Sequence, residues 1–173
     1  MTVAVKTAGL AAIYIGNKGD SFGSMSLLGY TRNGADTSTE AFYEDVHGDA
    51  NGGDSGPPIE VQFLGEIARV RLELTKWDST VADNVASRSS AVAAGGGTVD
   101  PGTLLFANGS LTMYRVLVWA PNMPINYPCC MVRAPIEVNR GTKFSTLVLE
   151  FEAHKDNVSG SSTENTLYNQ NTA

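Results

Sequence analysis

The sequence has 173 residues, enough for one domain with a full hydrophobic core and short for two. With 42% hydrophobic and 17% charged residues it is globular in composition rather than disordered, and its many Gly, Ser, Thr and Asn residues suit short strands joined by turns. A net charge of −6 argues against a protein that grips nucleic acid through its phosphates, and no apolar run approaches the roughly 18–20 residues that span a bilayer.

Residues 1–6 lack the basic segment and apolar stretch of a secretion signal, so assembly in a cytoplasm is expected. Strand character begins at 10–15 and returns at 24–30. The stretch 31–58 is rich in Gly, Asp, Asn, Ser and Thr and reads as a long inter-strand loop, with a strand candidate at 40–46 inside it. Two further strands follow at 59–64 and 66–77, and Gly65 between them is placed to bend or bulge the run. In the second, Ala68, Val70, Leu72 and Leu74 alternate with Arg69, Arg71 and Glu73, so one face packs on a core and the other stays polar. A helix is predicted over about 79–92, capped by Asp78 or Ser79 and stopped by Gly95-Gly96-Gly97.

Strand candidates resume at 104–106, 111–120, 130–138 and 144–154. In the last, Leu147, Leu149, Phe151 and Ala153 alternate with Val148, Glu150, Glu152 and His154. Cys129 and Cys130 are adjacent; a vicinal disulfide is strained, so two small buried strand residues is the better reading. Residues 156–173 form a polar tail. The pattern is mainly β, a single sandwich or barrel domain over 1–155 with one flanking helix.

Gly53-Asp54-Ser55-Gly56-Pro57 is similar to the sequence around the nucleophile of trypsin-like proteases. Such a serine needs a histidine and a carboxylate, which in that family lie far upstream, and only His47 precedes it here; a turn suffices. Asp49, Asn51 and Glu60 fall at the first, third and twelfth positions of a calcium loop, but Asp54 stands where Gly is required and Pro57-Pro58 follow. With His47 and His154 the only histidines, a histidine-based metal or acid–base centre is poorly supplied. Glu150 and Glu152 share a strand face, where solvated carboxylates are commoner than a glycosidase pair. Trp77, Tyr114, Trp119 and Tyr127 sit beside apolar strand residues, which favours packing over a sugar platform. The expectation is a protein with no catalytic activity, no cofactor and no metal.

The run 56–78, a Gly65-interrupted strand passing into a long amphipathic strand that closes on Trp77-Asp78 ahead of a helix, resembles tail tube proteins of tailed bacteriophages. Ala134-Pro135-Ile136-Glu137-Val138-Asn139-Arg140-Gly141-Thr142-Lys143, followed by the strand 144–154, is similar to their final hairpin. The resemblance, one of pattern over about a third of the chain, implies a β sandwich with a flanking helix. It also implies hexameric rings whose inner sheets join around a DNA channel, stacked with the help of a long loop, here 31–58. Localisation would be the virion tail, with other tail proteins as partners and double-stranded DNA passing without specific binding.

On that basis Asp49, Asn51, Asp54 and Ser55 are expected in contacts between subunits. Arg69, Arg71, Glu73, Glu150 and Glu152 are expected to face the channel, with the arginines able to pair across strands with the glutamates. A head decoration or neck protein, and a carbohydrate-binding β sandwich, are the alternative readings.

Overall fold

The computed structural model describes residues 10–48, 56–86, 113–120, 124–133, 137–141, 145–155 and 167–170. Strand β1 (Ala11–Asn17) leads through a single turn of 3-10 helix (Phe22–Ser24) into β2 (Ser26–Val46), followed by β3 (Glu60–Trp77) and α1 (Ser79–Ala86). The chain then supplies β4 (Tyr114–Trp119), β5 (Ile125–Val132), β6 (Glu137–Arg140), β7 (Ser145–Ala153) and the short β8 (Asn169–Gln170).

All pairings are antiparallel, in the order β6-β7-β3-β2-β1-β4-β5-β8, with a further pairing of β7 to β5. That last pairing closes β7, β3, β2, β1, β4 and β5 into a barrel, the second of the two architectures the pattern allowed. The seam matches Cys130, Met131 and Val132 with Ala153, Glu152 and Phe151.

The inward faces are those the alternation predicts. Ala68, Val70, Leu72 and Leu74 of β3 meet Ala153, Phe151, Leu149 and Leu147 of β7 in register, and all eight are buried. Ile13 and Ile15 of β1 and Val116 and Val118 of β4 complete the far wall. Ala82 and Val85 of α1 join the same core. Asp78 caps the helix as expected: its carboxylate accepts the Val81 N–H at 3.0 Å. The expected residues 87–92 of this helix lie outside the described residues, as does the strand candidate 104–106.

Two sequence expectations are corrected. The stretch 31–58 is not a loop throughout, because β2 continues to Val46 and β3 begins at Glu60. Its polar Thr37-Ser38-Thr39, with two β-branched threonines, is ladder-competent once β3 supplies the partners Val70, Arg69 and Ala68. Residues 167–170, within the stretch 156–173 read as a polar tail, are also structured. Leu167 is buried, the Tyr168 ring lies 6.1 Å from that of Tyr127, and β8 pairs with Ile125 and Asn126.

Both cysteines are free and buried, in agreement with the reading as small core residues. Burial, with Cys129 next to it, pushes the Cys130 thiol well up against a backbone hydrogen bond from Val116, so it stays protonated. The four candidate sugar-platform rings are not one exposed surface, since Tyr127 is only 1% exposed. No helix among the described residues is long and apolar enough to cross a membrane.

Candidate functional site

The hairpin of β2 and β3 is longer than the barrel it helps to build. β1 covers β2 only from Ser26 to Thr31, and β7 covers β3 only from Ala68 to Leu74. Beyond these limits β2 and β3 pair only with each other among the described residues, from Glu40↔Ile67 to Val46↔Glu60. The result is a two-stranded arm with both edges unpaired. A lone ribbon of this kind is at best marginally stable in water, and its free edges invite further strands.

Gly65 sets the joint of the arm. Its φ of 151° lies outside the range of L side chains, and the register shifts by one residue between Phe42↔Gly65 and Tyr43↔Phe63. Sequence reasoning placed this bulge correctly. It did not anticipate what the arm displays.

Phe42, Tyr43, Val46, Ile59, Val61, Phe63 and Leu64 are all exposed, with Tyr43 at 62%, Phe63 at 55% and Leu64 at 57%. The Tyr43 and Phe63 rings pack in a tilted contact with centroids 5.7 Å apart across the ribbon, while Phe42 projects from the opposite face. Monomeric proteins seldom expose so contiguous an apolar surface unless something covers it. The signal was in the sequence: Phe42-Tyr43 and Phe63-Leu64 put bulky residues on adjacent positions, which no single buried face can absorb.

The arm is also acidic. From Glu40 to Glu66 the sequence holds seven carboxylates and neither Lys nor Arg, so subtracting their −7 from the net −6 leaves the rest of the chain at +1. The expected contact residues Asp49, Asn51, Asp54 and Ser55 belong to this segment but lie outside the described residues.

The expected channel-facing residues are brought together on the outer face of the barrel. Arg69 stands opposite Glu152, Arg71 opposite Glu150, and Glu73 opposite Val148. Arg69 and Glu152 form the cross-strand ion pair, whereas Arg71 and Glu150 are opposed in register. Glu152 is its centre: 5% exposed, it accepts from Arg69 Nε at 3.2 Å and from an Arg133 guanidinium N–H. His154 Nε2 lies 3.7 Å from the same carboxylate, and Arg69 also reaches Glu40 at the base of the arm at 3.5 Å. Alternation had placed His154 on the face of Glu152; Arg133 and Glu40 were not singled out from the sequence, because register alone reveals them. The cluster ties β3, β5 and β7 together where the barrel closes.

Burial alone would raise the Glu152 carboxyl. The hydrogen bonds from Arg133 and Arg69, with the charges of Arg133 and His154, outweigh it and hold the group below its ordinary value. Burial lowers His154, with Glu152 opposing the shift and Arg133 adding to it. Both groups therefore bind protons less readily in the folded chain than in the unfolded one, and acid favours unfolding. The His154 contribution is complete above an unfolded pKa of about 6.5 and is lost as pH falls below it; that of Glu152 is lost only below about 4.3. Thermal unfolding should be flat from pH 8 to 7, decline from about pH 6.5, and fall again below about pH 4.3. His154→Gln should remove the upper decline alone, and a pH profile untouched by that change would contradict the assignment.

No group of His, Cys, Asp and Glu among the described residues is arranged to hold a metal ion. The arm combines apolar rings, strand edges unpaired among the described residues and a charge of one sign. Compared with protein-family models and with curated proteins, the sequence matches none.

Proposed function

We propose that this chain is a structural subunit that assembles with copies of itself, and that it is a tail tube subunit of a tailed bacteriophage. The observation that carries the first part is the arm: an exposed apolar ribbon with two open edges on an otherwise closed barrel. The closed barrel offers no edges of its own, and the arm is far longer than the short outer strands β6 and β8, so the arm is the main place where such a protein can add neighbours. The second part is supported by the resemblance of 56–78 and 134–143 to tail tube proteins, whose stacking loop corresponds to the segment that forms the arm.

In this reading stacked rings enclose a channel for double-stranded DNA, and the chain performs no catalysis and holds no cofactor. The outer face of β3 and β7 is assigned to the channel wall. Its alternating Arg69, Arg71, Glu150 and Glu152 make that wall close to neutral, so phosphates neither adhere nor are strongly repelled.

Sedimentation and negative-stain microscopy of the purified chain over a range of concentrations test the proposal. Rings or tubes with a central channel are expected. A closed oligomer without a channel would move the reading to a head decoration protein, and a monomer at every concentration would defeat both.

A further inference from the structure

At the end of the β2–β3 hairpin remote from the arm, the start of β2, the end of β3 and the first turn of α1 enclose a groove of about 460 Å³. Leu27, Tyr30, Trp77 and Val81 line it, all of them only half-buried, and the exposed Lys76 stands at its rim. Asp78 also lines it, but its carboxylate is engaged in capping α1. The groove is therefore an apolar slot with a free ammonium beside it, large enough for an aromatic side chain.

We propose that the arm of one copy seats in this groove of a second copy, so that subunits join head to tail. The inference rests on the self-assembly reading above and names the surface that receives the arm. Complementarity of charge supports it. The arm is purely acidic and the rest of the chain is at +1, so two arms repel one another while an arm and a body attract.

The geometry supports it as well. Tyr43↔Phe63 in the arm and Gly29↔Trp77 beside the groove lie on one hairpin, 14 residues apart. At about 3.3 Å per residue they lie at most roughly 45 Å apart, at opposite ends of one paired hairpin, so an arm does not fold back into its own groove. Donor and acceptor at opposite ends of a molecule make a heterologous contact, which propagates into a ring or a filament instead of ending at a dimer.

A photoreactive benzophenone amino acid in place of Phe63 tests this directly. Isotope-labelled and unlabelled chains are mixed, irradiated and digested, and the joined peptides are identified by mass spectrometry. Links from position 63 of one chain to residues 26–30 or 76–81 of the other isotopic form are expected. Links to a different surface of a second copy would overturn the groove and leave self-assembly standing. A monomer with no links between the two forms would overturn both.

Lys76→Glu gives an independent measure, since Lys76 is exposed and its replacement leaves the core alone. Association should weaken about tenfold, with a reduced response to salt. Unchanged association at low salt would count against the groove.

Discussion

Phe63→Asp combined with Leu64→Asp should leave the barrel folded and stop its assembly. Both side chains are more than half exposed in the single chain, so the fold loses little when they go. Surface changes of this kind move stability by about 0.5 kcal/mol, which for a chain of this size is a shift of roughly 1–2 °C. Association responds very differently. Fully burying a side chain of this type between copies is worth about 1.5–3 kcal/mol. Two of them, at about 1.4 kcal/mol per tenfold, weaken association by roughly 10²- to 10⁴-fold. Sedimentation and thermal unfolding on the same preparation separate the two effects. Assembly at the wild-type concentration would remove the arm from the interface.

The reverse pattern is expected at the seam. Phe151 is fully buried and stands between Val70 of β3 and Val132 of β5, where the barrel closes. Phe151→Ala removes those contacts and leaves a cavity that rigid strands on both sides can only partly fill, a loss of about 3–5 kcal/mol. Unfolding should occur roughly 6–20 °C lower. The arm itself is untouched, so the protein that remains folded should still associate. A fall of under about 3 °C would mean that the closure of β7 on β5 contributes little to the core.

The two sites differ in how far the sequence discloses them. The core faces of β3 and β7 were legible because 67–74 and 146–151 alternate in burial, and a strand with one buried face has only one acceptable register. The helix cap and the Gly65 bulge were legible for local reasons, a carboxylate before a helix and a glycine inside a strand. The extent of β2 was not. Its middle, from Arg32 to Thr39, has the composition of a loop, and only the pairing partners on β3 make it a strand.

The arm lay between these cases. Its strands were recognisable, but where the barrel stops covering them depends on the lengths of β1 and β7, which are set elsewhere in the chain. The Glu152 cluster was half legible. That Arg69 and Arg71 could pair across strands with Glu150 and Glu152 followed from alternation, whereas Arg133, just after β5, arrives only because the barrel closes.

The order in which the barrel is made gives the acidity of the arm a second meaning. Ile13 of β1 pairs with Val118 of β4, so the first strand waits for roughly 100 residues before its second neighbour exists, about 5–20 s at ribosomal speed. For roughly the last 40 residues of that interval, once Trp77 has been added, β2 and β3 are both synthesised, with rings on both faces and edges open, on chains that emerge close together. Hairpins of this kind pair readily with one another into aggregates. Carboxylates flanking such strands act as gatekeepers, because bringing two arms side by side sets like charges against each other. The same residues that direct an arm toward a finished body would thus keep unfinished chains apart on the polysome.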